Sequence, residues 1–233
     1  MAIAGLAFDI FGTVVDWRGS IAAEAERVLG ENRQADWNAF AVAWRRRYQP
    51  SMDRVRNGEL PWTVLDDLHA ESLDDVLREQ GLKKVGKQER SNLILAWHRL
   101  LPWPDSVAAL DRLAGRYRLV TLSNGNRSLL NDLVAGAGLG FHEVLSAEDV
   151  QAYKPDPRMY RLAVERIGGA PEETLMVAAH IDDLQAAARS GLSTAFVSRP
   201  LEWDASGAPA EPPRPWLDHY AIDLEDLARQ LGC

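Results

Sequence analysis

The sequence predicts an α/β protein: a parallel sheet with helices on both faces, in a Rossmann-like core, interrupted after its first strand by an all-helical insert. Two observations carry that prediction. From about residue 101 onward, short β-rich runs are each followed by a helical pattern, the signature of successive βα units. Between Asp16 and about Leu101 strand signals are nearly absent. Apolar residues there recur at helical spacing, as in Ile21, Ala25, Val28 and Leu29, or Leu65, Leu68, Leu73 and Leu77. The expected division is a core made of residues 1–15 and 101–233, and a helical cap made of residues 16–100.

The first strand is read at Ile3–Phe8, an apolar run closed by Asp9 and the turn residues Gly12 and Thr13. Tyr117–Asn126 runs from a strand into the helix "RSLLNDLVAGAGLG", which Gly136 and Gly138 should close. Phe141–Ser146 reads as another β-rich run. A loop follows, and then the helix "PRMYRLAVERIGG", whose Pro157 suits a first turn. Thr174–Ala179 leads to "DLQAAARSG", Ser193–Ser198 follows, and a last helix is expected near Leu224–Leu231. The stretch "RPLEWDASGAPAEPPRPW" between them, rich in Pro and Gly, reads as a surface loop. Six of the eight tryptophans fall between Trp17 and Trp103, where they are expected to form the insert's core, with some lining a pocket as the sharper reading.

Composition narrows the function. A formal net charge of -8 argues against nucleic acid or an anionic membrane as main partner, while leaving room for a local basic pocket. The only cysteine is Cys233, so neither a disulfide framework nor a thiolate metal site within the chain is expected. No run approaches the length of a membrane helix, and the N-terminal apolar run is broken at Asp9 without a basic segment before it. A cytoplasmic protein is the expectation.

In a parallel α/β sheet, ligands bind beyond the carboxyl ends of the strands, so the polar residues after each strand can be gathered into one site. Asp9 and Thr13 follow the first strand; Ser123, Asn124 and Gly125 follow the next. Tyr153, Lys154 and Asp156 lie in the loop after Ser146, and His180, Asp182 and Asp183 follow "TLMVAA". Four strand ends thus supply an acid, amide and hydroxyl donors, a cation and a second acid group.

Taken in order, "FDIFGTVVD", "LSNG", "YKPDPRMY" and "AAHIDDLQAAARSGL" resemble the four motifs of the haloacid dehalogenase superfamily. Within it the chain resembles the type II L-2-haloacid dehalogenases over nearly its whole length. The resemblance implies a metal-independent reaction without a cofactor. Asp9 would attack the carbon bearing the halogen of a short 2-haloacid, giving an aspartyl ester that water then hydrolyses to the 2-hydroxy acid. Haloacetates and 2-halopropionates are the implied substrates, with fluoroacetate the hardest among them. Lys154 would compensate the charges of nucleophile and substrate, and Asp183 would position or deprotonate the hydrolytic water. Thr13 and Ser123 would assist. Ser123, Asn124 and Lys154 would bind the substrate carboxylate, and Arg45 and Asn124 the departing halide. Tyr160 matches a position that helps order the site. A homodimer is implied as well.

Most of the superfamily are magnesium-dependent phosphatases, which carry Asp-x-Asp where this chain has Asp9-x-Phe11. Their second Asp protonates a departing alkoxide; a halide ion leaves without a proton, so Phe11 fits a dehalogenase and would keep the site dry. The fourth motif departs from better-known members, reading Ala178-Ala179-His180-Ile181-Asp182-Asp183. His180 stands where an amide is usual, and could bind the water, Asp9 or the halide, or only satisfy Asp183. Asp182 falls where an aromatic often contacts the halide, and is an alternative acid to Asp183. A magnesium-dependent phosphatase or phosphonate hydrolase, and a non-catalytic binding protein, remain as the other readings.

Overall fold

Alternating helical and extended patterns resolve, in the computed structural model, into two compact units: Met1–Asp16 with Pro102–Cys233, and Trp17–Leu101. The structure describes residues 2–30, 35–208 and 213–233; residues 209–212 of the Pro- and Gly-rich stretch read as a loop lie outside the described residues.

The first unit is built on five parallel strands: β1 (Gly5–Phe8), β2 (Arg118–Thr121), β3 (Thr174–Ala178), β4 (Ser193–Val197) and β5 (His219–Ala221), in the order β2-β1-β3-β4-β5. Phe8 stands opposite Thr121 on one side and Val177 on the other, so the strand ends on either side of β1 are level. Every residue of β1 and β3 is buried. Side chains alternate across a strand, so burial throughout requires cover on both faces. Helices α6 (Ser106–Ala114), α7 (Arg127–Gly136), α8 (Pro157–Ile167), α9 (Ile181–Arg189) and α10 (Leu224–Gln230) supply it. Two helices of this unit start on side-chain caps. Asp156 accepts from the Arg158 backbone N–H ahead of Pro157, and Asp223 accepts from Asp226 N–H at the start of α10.

Three details differ from expectation. Phe141–Ser146 is not a strand. It runs beside β2 through isolated bridges at Glu143 and Ser146, because the Thr121 side chain replaces ladder bonds there, donating to Leu145 O at 3.0 Å and accepting from Leu145 N at 2.8 Å. The short edge strand β5 and helix α6 had no expectation attached to them. Strand β5 has three residues, two only half-buried, so its period-2 signal is too short to see.

The second unit holds α1 (Trp17–Leu29), α2 (Trp37–Arg45), α3 (Tyr48–Arg56), α4 (Leu65–Glu79) and α5 (Lys87–Ile94), closed by a 3₁₀ turn over Leu95–Arg99. Trp17, Trp44 and Trp97 are fully buried, as are Phe40, Ile21 and Leu29, and Trp44 meets Phe40 and Trp97 edge-on at 5.8 and 5.4 Å. Trp44 keeps its indole N–H satisfied on His69 O and Ser72 Oγ, both at 3.2 Å. His69 stacks on Trp97 at 4.2 Å, and its burial lowers the ring's pKa to about 3, so it is a neutral core aromatic. Trp103 belongs to the first unit instead, where its indole N–H donates to Gly12 O at 2.9 Å. No described helix is long and apolar enough to cross a membrane.

Candidate active site

Asp9 is the first residue beyond β1, an interior strand flanked by β2 and β3, with its backbone N–H still donating to Val177 O at 3.0 Å. That bond fixes the carboxyl at the strand mouth, only 9% exposed. Three side chains converge on it. Thr13 donates to Oδ2 at 2.7 Å, Lys154 donates to Oδ1 at 3.3 Å, and His180 Nδ1 stands 3.1 Å from Oδ2. Burial alone would raise the Asp9 carboxyl. The Lys154 charge, the His180 ring and the Thr13 hydroxyl outweigh it and hold the group well below the usual carboxylate range. It is therefore an anion at neutral pH, in a setting that would otherwise neutralise it.

Each partner is itself placed by another. Thr13 accepts from Ala179 N–H at 2.9 Å, tying the loop after β1 to the end of β3. Lys154 donates a shorter bond, 2.7 Å, to Asp183 Oδ2, and its own backbone N–H donates to Asn124 Oδ1 at 2.8 Å. Asp183, in the first turn of α9, receives the Tyr160 hydroxyl on Oδ1 at 2.7 Å. Burial and the Asp183 charge keep that phenol protonated. Lys154 is thus a buried cation shared by two carboxylates, and buried charges persist only when paired in this way.

The neighbouring turn is equally constrained. Ser123, fully buried, accepts from Gly125 N–H at 3.2 Å. Asn124 spends its carbonyl oxygen on Lys154, which leaves its NH₂ as the donor of that side chain. Phe11 is 1% exposed and closes against Gly125, where an added Cβ would stand 3.3 Å from the ring and 3.0 Å from Leu130. Glycine is needed there because the backbone approaches Phe11 and Leu130 closely.

The structure thus brings Asp9, Thr13, Lys154, Tyr160, His180 and Asp183 into one hydrogen-bonded network, with Ser123, Asn124 and Phe11 beside it. Asp182 is exposed on the first turn of α9, where it lines a cavity that His180 and Glu202 also line. Arg45 lies in the helical unit, 7% exposed, with its guanidinium 3.8 Å over the Tyr48 ring and 5.5 Å from Trp17. The suggestion that His180 merely satisfies Asp183 is corrected: its ring lies between Asp9 and Glu202, with Nε2 at 3.0 and 3.2 Å from the two Glu202 oxygens. Burial would lower the ring's pKa. The Glu202 charge and the bonds to both carboxylates raise it instead, to about 10, so the resting ring is an imidazolium.

Glu202 is the residue that sequence reasoning missed. It sits in the Pro- and Gly-rich stretch, away from every motif, and its only signal is an acid flanked by Leu201 and Trp203. In the fold it is 4% exposed. Gly12, with φ at +85°, makes the space: a Cβ there would overlap the Glu202 carboxylate. Among the described residues, no group of three or more His, Cys, Asp and Glu side chains is arranged to hold a metal ion.

A buried anionic carboxylate beside a shared cation, at the mouth of an interior parallel strand, can act as a nucleophile toward an electrophilic carbon. The chain belongs to the haloacid dehalogenase-like hydrolases, whose family model matches residues 3–191. Among curated relatives, (S)-2-haloacid dehalogenase 4A of Burkholderia cepacia is 30% identical, covering 94% of this chain and 91% of its own. The crystal structure of a defluorinating L-2-haloacid dehalogenase matches with a TM-score of 0.93 at 41% identity, covering 99% of this chain and 96% of that one. The L-2-haloacid dehalogenase of Xanthobacter autotrophicus, solved with chloropropionic acid covalently bound, matches with a TM-score of 0.82 at 27% identity, covering 99% and 98%.

Proposed function

We propose that the protein is a metal-independent (S)-2-haloacid dehalogenase that hydrolyses short 2-haloalkanoic acids through an ester on Asp9. The observation that carries this reading is the environment of Asp9: an anionic carboxylate paired with Lys154, with buried Phe11, not a second acid, two residues on. Its anionic oxygens can displace a halide, and nothing at position 11 is poised to protonate a poorer leaving group. Similarity to enzymes of that name supports the substrate class, and the covalent chloropropionate adduct of the Xanthobacter relative supports an ester route.

In the first step Asp9 attacks the carbon bearing the halogen, and the halide departs with the bonding electrons. Lys154 offsets the negative charges that nucleophile and substrate carboxylate bring together. Ser123, Asn124 and the adjacent backbone amides hold the carboxylate or the developing oxyanion. Arg45 and Asn124 receive the halide, a role for which a weakly hydrated guanidinium is suited. Similarity to a defluorinating enzyme at 41% identity extends the proposed range to fluoroacetate. A cytoplasmic homodimer completes the reading, and light scattering tests the dimer.

The test is halide release from racemic 2-chloropropionate in EDTA, run beside Asp9→Asn, with the chirality of substrate and product followed. Release that is lost in the variant, consumes one enantiomer and inverts its configuration supports the proposal. Magnesium-dependent hydrolysis of a phosphate ester, with no halide released, refutes it.

A further inference from the structure

We propose that Glu202 and His180 form a pair that handles the proton of the hydrolytic water, Glu202 positioning the His180 ring so that its Nδ1 becomes the base once Asp9 is esterified. This rests on the Asp9 ester of the preceding section and assigns a duty within it that Asp183 is poorly placed to perform.

Both Asp183 oxygens are engaged, Oδ2 by the Lys154 ammonium and Oδ1 by the Tyr160 hydroxyl, each at 2.7 Å, and no hydrogen bond links it to Asp9. Its geometry is that of an anchor for the cation. His180 has the complementary arrangement. Nδ1 faces the Asp9 carboxyl at 3.1 Å, within reach of a water beside that group, and Nε2 faces the Glu202 carboxylate at 3.0 Å. A carboxylate on one ring nitrogen keeps the proton there and directs the lone pair of the other toward the reacting atoms.

The loop holding Glu202 is built to keep it in place. Glu202 N–H donates to Arg199 O at 3.1 Å. Arg199 is pinned in turn, its Nε donating to Thr13 O at 2.9 Å and its Nη1 to Asp105 at 2.8 Å. Behind the pair lies a cavity of about 360 Å³, whose wall includes Ser198, Arg199 and Trp203 as well as His180 and Glu202. His180 and Glu202 thus border a cavity that Asp9 does not line. The charged groups around the ring are Asp9 and Lys154 on one side, Glu202 and Arg199 on the loop after β4, and Asp182 and Asp183 on α9.

The pair is also timed by the reaction. Before attack, two carboxylates hold the ring as an imidazolium, with the Glu202 charge the larger contribution and Asp9 adding to it. Alkylation turns Asp9 into a neutral ester and removes one of those anions. The Nδ1 proton is then released to water, leaving Nε2–H on Glu202. Neutral Nδ1 takes a proton from the hydrolytic water as its oxygen bonds to the Asp9 carbonyl carbon. When the tetrahedral intermediate collapses, the bond from that carbon to the substrate oxygen breaks, and the departing alkoxide takes the proton back from Nδ1. Asp9, left as a carboxylic acid, returns its proton to the ring and restores the resting pair. One water is consumed, and one proton, one halide and one 2-hydroxy acid are produced.

Rapid-quench measurement of halide release with (S)-2-chloropropionate, with intact-mass analysis of the enzyme, tests the pair in the wild type and in Glu202→Gln, Glu202→Asp, His180→Asn and Asp183→Asn. The expected result is that Glu202→Gln releases one halide per site at near the wild-type rate and then turns over about 10²-fold more slowly. Its mass should rise by one 1-carboxyethyl group, and Glu202→Asp should recover part of the loss. Asp183→Asn should instead slow the first halide. If Glu202→Gln fails to fold, His180→Asn must trap the ester in its place. Ester accumulation in Asp183→Asn, with Glu202→Gln turning over as wild type, overturns the pair and leaves the dehalogenase reading standing. A wild type that releases no halide overturns both.

Discussion

Replacing Asp9 by Asn preserves the shape of the side chain and one acceptor for Thr13 while abolishing the anion. Halide release is expected to fall by roughly 10⁴-fold or more, the scale of a deleted nucleophile, as read by ion chromatography. The cation is the more delicate part of the same site. Lys154→Met leaves Asp9 and Asp183 buried without their shared partner, which should cost about 3 kcal/mol in denaturant unfolding. It also removes the strongest influence that lowers the Asp9 carboxyl, while burial still raises it. Any residual activity should therefore lose its acid limb at a higher pH than the wild type, which a pH–rate profile reads directly. Tyr160→Phe removes one donor from Asp183 and should destabilise by about 1.5 kcal/mol. Halide release should fall less than for Lys154→Met, because the cation keeps both carboxylates.

The turn after β1 is where geometry leaves least room. Gly12 has φ at +85°, and a methyl there would meet the Glu202 carboxylate. Gly12→Ala should therefore cost about 2 kcal/mol from backbone strain and push Glu202 off His180. Thermal unfolding reads the first effect, and accumulation of the ester reads the second. This turn also marks how far the sequence can be read. Asp9, Thr13, Lys154 and Asp183 were legible because each directly follows or closely trails a strand run, and parallel strands bring such positions together. The glycines closing α7, with Gly136 its last residue and Gly138 at φ +62° just beyond, and Pro157 opening α8 were legible as local punctuation. Phe141–Ser146 misled because β-rich composition does not reveal that the Thr121 side chain takes over the bonds of the neighbouring strand. Glu202 was not legible at all: an acid in a proline-rich loop looks solvated until the fold buries it against Gly12.

For the molecule as a whole, three perturbed groups shape the dependence of stability on pH. His69 is lowered from 6.5 to about 3 in the folded state, so stability falls as pH drops below about 6.5 and the unfolded ring takes a proton that the folded one refuses. His180 is raised from 6.5 to about 10 in the folded state, so its contribution is complete below about 6.5 and is lost as pH climbs toward 10. Asp9 is depressed from 3.8, so its contribution is present above about 4 and is lost as the solution becomes more acid. Denaturant midpoints followed against pH should decline on both sides of about 6.5. The alkaline decline should be shallower in Glu202→Gln, which lacks the larger of the two charges holding the ring's proton. The alternation of strands and helices made the sheet readable at this scale, since periodicity accumulates over many residues. The helical stretch was equally readable, and its tryptophans Trp17, Trp44 and Trp97 turned out to be packing. The loop carrying Glu202 lies beyond residue 191, where the match to the family model stops. Asp9 and Lys154 lie within that matched stretch and the carboxylate behind His180 lies outside it, while relatives align across both. On the proposed pairing, changes confined to that loop alter how quickly the protein clears its ester while Asp9 and Lys154 stay untouched.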